Sequence, residues 1–212
     1  MKGVIAVLLI VLCLSIPCEA APISGRVRFV GRAPGVTAPT IVYAEALEGG
    51  RVQPEKFTMA QKNKSFVPHV LPVPAGSTVS FPNTDDLFHN VFSLSRPAPF
   101  DLGLYRSGDS KDWVFKKPAT YRVFCNIHPQ MSAVILVLPT SYITEADNNG
   151  AYRLDLPPGK YRITAWSERA ELANIDVTVG SAALSAPDLT LDESKFVETQ
   201  HKNKFGQDYP KN

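Results

Sequence analysis

Turn-forming residues interrupt this chain often, and helical periodicity is hard to find in it. Eighteen prolines and thirteen glycines separate short segments. Within many of these segments apolar and polar residues alternate, as at residues 152–156 and 161–165 on either side of Pro157-Pro158-Gly159. An alternation of period two is typical of strands with one buried face. The pattern therefore predicts an all-β protein.

The first twenty residues have the pattern of a secretory signal peptide. A basic Lys2 precedes an apolar run over residues 4–16, and small residues follow at 18 and 20. The run is short for a bilayer span. We expect residues 1–20 to be removed, giving an exported, periplasmic chain with no stable membrane span after cleavage; an uncleaved membrane anchor is the alternative.

Export would leave a single cysteine. Of the three cysteines, Cys13 and Cys18 fall in the predicted signal peptide, so only Cys125 remains. A lone thiol in an oxidising compartment is a liability unless a metal binds it or the fold buries it completely. The net charge of +2, without a dense basic run, predicts no nucleic-acid partner.

The segment CNIHPQM places a thiol, an imidazole and a thioether at Cys125, His128 and Met131. Two histidines, a cysteine and a weak axial methionine form the donor set of a type 1 copper site. The second histidine must come from elsewhere in the chain. His89, at the end of a polar loop and the start of a predicted strand, is the candidate.

Residues 65–138 resemble the cupredoxins, the blue type 1 copper proteins, and specifically the amicyanin-like, methylamine-utilisation-type group. The loop has that group's Cys-x₂-His-Pro-x-Met spacing. The other matching motifs are Gly76-Ser77-Thr78-Val79, Phe81-Pro82-Asn83, His89-Asn90-Val91 and Ala119-Thr120-Tyr121. The likeness implies a Greek-key β-sandwich with one copper ion that carries single electrons to or from a redox partner protein.

The resemblance also implies a role for each site residue. His89, Cys125 and His128 would be the equatorial copper ligands, and Met131 the axial one. Asn90 would approach the cysteine sulfur with its backbone amide and tie the two ligand loops together with its side chain. Pro129, with its fixed φ, would stiffen the loop. One departure is Gln130, which replaces an aromatic residue and leaves the usual apolar docking patch in doubt.

A second resemblance lies beyond the copper loop. Residues 147–161 are similar to the carboxypeptidase-regulatory, transthyretin-like repeat. We therefore predict a cupredoxin-like domain at 50–139 and a smaller immunoglobulin- or transthyretin-like β module at 140–191. Strands from 22–48 either complete that module or belong elsewhere. Residues 192–212 are polar and predict a flexible tail.

The leading hypothesis is an exported electron carrier. The alternatives are a copper-handling protein without a redox role and a metal-free β-sandwich interaction module. An enzyme is not expected, because a multicopper oxidase needs His-x-His pairs and this chain has four histidines and no such pair.

Overall fold

Strands are the only regular elements in the computed structural model, which describes residues 20–198 and 201–209. The predicted signal peptide therefore lies outside the described residues, apart from Ala20. The strands are β1 (Ala21–Val30), β2 (Ile41–Ala46), β3 (Lys56–Thr58), β4 (Ala60–Lys62), β5 (Ser65–Val67), β6 (Val70–Pro74), β7 (Ser77–Pro82), β8 (His89–Ser93), β9 (Phe100–Tyr105), β10 (Ser110–Phe115), β11 (Ala119–Phe124), β12 (Ser132–Leu138), β13 (Tyr142–Glu145), β14 (Ala151–Leu156), β15 (Gly159–Trp166), β16 (Ala173–Val179), β17 (Leu184–Ser185) and β18 (Leu189–Asp192).

The all-β prediction is confirmed. In the described part of the chain there is also no helix with the length and hydrophobicity needed to cross a membrane.

The central module consists of β3–β12. A five-stranded sheet in the order β6-β12-β11-β8-β9 faces a three-stranded sheet in the order β10-β7-β3. Large apolar side chains from both sheets fill the space between them, among them Phe81, Phe115, Tyr121 and Ile135. Alternating inward side chains on β7 and β11 explain why these segments showed period-two patterns. Strand β8 lies next to β11 in the larger sheet, which matters for the site described below.

The terminal module takes its strands from both ends of the chain. Strand β1 pairs with β14, β17 and β18, and β2 lies between β13 and β15. One apolar core joins these two sheets and includes Ile23, Val42, Leu156 and Ile163. The early strands thus share sheets and core with strands that follow residue 140. The exact domain boundaries given above stay a prediction.

A third apolar cluster joins the two modules. Val134, Leu136 and Leu138 of β12 pack against Ile41 and neighbouring side chains of β2 and β15, including Trp166. Strand β12 is therefore buried on both faces, which explains why its sequence is a nearly continuous apolar run rather than an alternating one.

Gly150 provides a test of the terminal module. Its φ is +79°, and its carbonyl accepts the Val27 N–H at 2.8 Å. A Cβ at this position would overlap the Val27 carbonyl oxygen. We expect Gly150→Ala to lower the free energy of unfolding by at least about 3 kcal/mol. Gly108→Ala is the matched control, because it has a similar φ of +82° but open space around it, and it should cost only about 1 kcal/mol. Equal losses in urea denaturation would contradict this account.

An ion pair between the modules predicts a pH dependence. His69 Nε2 donates to Glu168 at 3.1 Å. This hydrogen bond raises the pKa of His69 above 6.5 despite burial, and it lowers the pKa of Glu168 below 4.5. The contribution of His69 to the free energy of unfolding is complete below pH 6.5 and is lost as pH rises through its folded pKa. The glutamate contribution is complete above pH 4.5 and is lost as pH falls through its folded pKa.

Glu168→Gln should therefore destabilise the protein most near pH 5.5, by about 1 kcal/mol or less because the His69 side chain is 45% exposed. The loss should shrink at pH 9, because the His69 contribution falls as pH rises through its folded pKa. Thermal unfolding at the two pH values measures the difference, and a loss independent of pH would show that the pair contributes nothing through charge.

Candidate metal centre

Three metal-binding side chains converge at one edge of the five-stranded sheet. They are His89 at the start of β8, Cys125 directly after β11, and His128 in the loop that follows, and their donor atoms all lie within 4.8 Å of one another. The two Nδ1 atoms are 3.0 Å apart, and Cys125 Sγ lies 3.7 Å from His128 Nδ1. The structure thus brings together three of the four side chains that the sequence singled out.

These separations fit ligands of a single ion. Metal–nitrogen distances of about 2.0–2.1 Å and metal–sulfur distances of about 2.3 Å place two ligands of one ion about 3–4 Å apart. The 3.0 Å and 3.7 Å separations lie in that range. A thiolate with two imidazoles is also a donor set that suits copper. The residues present therefore fit the predicted cofactor, copper.

The fourth predicted residue, Met131, is completely buried in the same core cluster as Cys125. Its backbone closes the ligand loop: Cys125 N–H donates to Met131 O at 3.2 Å, and Met131 N–H donates to His128 O at 3.0 Å. Pro129 occupies the second position of the resulting turn, where its fixed φ is favoured. Axial ligation by the Met131 thioether stays a prediction.

Asp85 orients His89, and sequence reasoning missed it. His89 Nε2 lies 2.8 Å from Asp85 Oδ2, so the ring donates from Nε2 and keeps the Nδ1 lone pair for a metal. Two backbone N–H groups, from Asn63 and Lys64, also donate to this carboxylate at 2.5 and 2.8 Å. Asp85 lies four residues before His89 in an irregular loop, where no periodicity signals the contact.

The shape of the β4–β5 hairpin explains these two donors. Asn63 and Lys64 have φ values of 55° and 53°, as a two-residue type I′ turn requires. Burial opposes ionisation of Asp85, but the hydrogen bonds from Lys64, His89 and Asn63 hold its pKa below the ordinary value. The carboxylate is therefore charged and fixed in place, which keeps the His89 ring in one orientation.

His128 is the accessible side of the site. His89, Cys125 and Met131 are fully buried, whereas His128 is only partly buried. Burial, helped by the nearby His89 and Lys64, lowers the pKa of His128. The neutral imidazole, which is the form that binds metals, is thereby favoured at neutral pH.

For Asn90, the predicted tie between the two ligand loops through its side chain stays a prediction. Its side-chain N–H donates to Asp101 Oδ1 on β9 at 2.8 Å, and its amide oxygen is buried without a hydrogen-bond partner among the described residues. Asn90 lies opposite Leu104 in the β8–β9 pair, so its side chain is close to this β9 carboxylate. The predicted approach of its backbone amide to the Cys125 sulfur stays a prediction.

Residues 201–209, which fall in the segment predicted to be a flexible tail, contact the metal-binding loop. The Tyr209 hydroxyl donates to Cys125 O at 2.7 Å, and the Lys204 N–H donates to Asn126 Oδ1 at 3.0 Å. Burial raises the pKa of Tyr209 to about 12, so its phenol remains a donor at neutral pH. Composition alone could not reveal these contacts, because the segment is polar and far from the loop in sequence.

Comparisons with known proteins give structural neighbours. No protein-family model and no curated protein matches the chain. A Cu-containing nitrite reductase from Thermus scotoductus SA-01 is 29% identical, over 53% of this chain and 28% of its own, with a TM-score of 0.38. A purple cupredoxin from Nitrosopumilus maritimus is 22% identical, over 38% of this chain and 98% of its own, with a TM-score of 0.36. A reduced amicyanin mutant is 18% identical, over 45% and 99%, with a TM-score of 0.37.

Two of these neighbours, by their names, are a cupredoxin and an amicyanin, and the third is a copper-containing enzyme. The match spans little more than a quarter of the nitrite reductase. With TM-scores this low, the case for a copper site rests on the donor atoms of His89, Cys125 and His128.

Asp85→Asn tests the role of the carboxylate. The substitution keeps the size of the side chain but removes the charge that holds the His89 tautomer, and we expect copper affinity to fall about 10–100-fold. Competition with a chelator of known affinity measures the change. Asp86→Asn, at the exposed neighbouring position, is the control and should bind copper like the wild type. Equal affinities for all three proteins would rule out this role.

Proposed function

We propose that this protein is an exported, mononuclear copper protein that transfers single electrons between redox partner proteins. His89, Cys125 and His128 act as equatorial ligands and Met131 as the axial ligand. The observation that carries the proposal is the convergence of two imidazole nitrogens and one thiol sulfur in a buried site with one partly exposed ring. The predicted signal peptide supports a periplasmic location.

Copper bound here would supply a one-electron Cu(II)/Cu(I) couple. The chain contributes rigidity, because the two oxidation states prefer different geometries and a fixed donor set limits rearrangement between them. Strand β8 and the Asp85 carboxylate hold His89, while the turn through Pro129 holds the other ligand loop. Burial of Cys125 excludes water from the thiolate.

His128 is the proposed route for electrons, since it is the only one of the four proposed ligands that is not fully buried. Phe88 and Ile127, which directly precede two of the ligands, are 54% and 46% exposed. Apolar surface therefore adjoins the ligands even though Gln130 replaces the expected aromatic residue. Such a surface suits brief contact with a partner protein.

The contacts of the other two histidines, which lie outside the candidate metal centre, favour an electron carrier over an enzyme. In the ranges that the structure describes, His69 is bound to Glu168 and His201 is stacked on Phe124. Neither belongs to the group of three metal-binding side chains found among the described residues, and a multicopper enzyme would need a further group.

Spectroscopy of the copper-loaded protein tests the proposal. We expect one copper per chain, an intense visible thiolate-to-copper band and the EPR signal of a type 1 site. Cys125→Ser should abolish the band, and Met131→Leu should keep it but shift the reduction potential, which the axial ligand tunes. His69→Ala is the control and should leave the spectrum unchanged.

The other outcomes favour the alternatives. Bound copper that leaves on reduction would indicate a copper-handling protein. A wild-type chain that binds no copper would indicate a metal-free interaction module. A band that survives in Cys125→Ser would remove the cysteine from the site.

A further inference from the structure

The C-terminal strap, residues 201–209, has no role in the function proposed above, yet it contacts the metal-binding loop and the strands β9 and β11. The contacts are a hydrogen bond to the backbone of Cys125, a ring stack on Phe124, and a residue that binds both Asn126 and Asp101. Each contact reaches back to the central module from the end of the chain.

The first contact completes the backbone restraint of Cys125. The Cys125 N–H donates to Met131 O at 3.2 Å inside the loop, and the Cys125 carbonyl accepts the Tyr209 hydroxyl at 2.7 Å. Both backbone polar groups of the cysteine are therefore engaged. With both peptide planes held, the direction in which Sγ leaves the backbone is restricted.

The second contact is aromatic. The His201 ring stacks on Phe124 with centroids 4.2 Å apart and an interplanar angle of 26°, and Tyr209 packs edge-on against His201 at 5.2 Å. Phe124 also contacts Phe92 of β8 at 5.8 Å. The strap thus packs against Phe124, the strand residue that immediately precedes Cys125.

The third contact links the loop that follows Cys125 to the strands next to His89. Lys204 donates its backbone N–H to Asn126 Oδ1 at 3.0 Å and its ammonium to Asp101 Oδ2 at 2.7 Å. Asp101 also accepts from Asn90, the residue after His89. Burial opposes ionisation of Asp101, but the hydrogen bonds from Lys204, Gly103 and Asn90 hold its pKa below the ordinary value. A charged network therefore connects the strap to both segments.

We propose that the C-terminal strap positions Cys125 for the metal, with Tyr209 and Lys204 as its positioning residues. This inference rests on the copper site proposed above. Without the strap, the backbone of residues 124–126 loses its outer restraints while the ligands themselves remain. The strap thus limits how far the thiolate moves between oxidation states and how readily the loop opens to release the ion.

The test compares Tyr209→Phe and Lys204→Met, singly and together, with the wild type in the full chain. Tyr161→Phe is the matched control, because it also removes a tyrosine hydroxyl that donates to a backbone carbonyl, that of Pro157 at 2.9 Å, but in the terminal module. The measurements are amide hydrogen exchange of residues 124–131 in the metal-free protein, the rate of copper transfer to a Cu(I) chelator, and the reduction potential.

Tyr209→Phe should speed both loop exchange and copper transfer about fivefold, as expected for the loss of one hydrogen bond. The double variant should exceed either single variant and shift the potential, and Tyr161→Phe should match the wild type. Loop exchange unchanged in the double variant would overturn the proposal. Faster exchange with unchanged copper transfer and potential would also overturn it, since the strap would then restrain the loop without affecting the metal.

Failure of the copper site would be distinguishable from failure of the strap. A wild-type protein without the thiolate-to-copper band would refute the proposed function, together with the role of the strap toward the metal. Hydrogen exchange in the metal-free protein would still show whether residues 201–209 hold the loop.

Discussion

The site depends on the side-by-side placement of β8 and β11 in one sheet. Phe92 and Phe124 are partners in that antiparallel pair, and this register brings the start of β8 next to the end of β11. His89 and Cys125 lie at those positions. A shift of one residue in the β8–β11 pairing would turn alternate side chains to the opposite face of the sheet. The His89 imidazole would then no longer lie near the Cys125 sulfur. The buried aromatic and aliphatic core between the two sheets of the central module maintains this register.

The side chains that converge could be predicted from the sequence because their chemistry is local. CNIHPQM carries two of them, Cys125 and His128, and the tight turn at Pro129 follows from its proline. His89 was identified because the donor set lacked a second imidazole. Strand positions such as β14 and β15 followed from strict alternation and strong turns. All of these features are visible within a few neighbouring residues.

The residues that the sequence did not reveal act through contacts between distant segments. Asp85 reaches His89 because the β4–β5 turn supplies two N–H groups, and the sequence around residues 63–64 gave no sign of a hairpin. The sequence also gave no sign of the hydrogen bond from the Asn90 side chain to Asp101 on β9. Tyr209 lies 84 positions from Cys125, and neither residue's neighbours predict the contact. The polar composition of residues 192–212 predicted a flexible tail and gave no sign that His201, Lys204 and Tyr209 contact the central module.

The pairing of β1 with β14 and β18 has a consequence for the order in which the chain folds during synthesis. All strands of the central module emerge between residues 56 and 138, so this module can close while the rest is still being made. Strand β1 emerges first but must wait for partners that emerge more than a hundred residues later. Until those partners are made, a nascent chain would expose β1 as an unpaired strand beside a folded central module. Unpaired strand edges can pair with other chains, so a chaperone would be most useful during this interval.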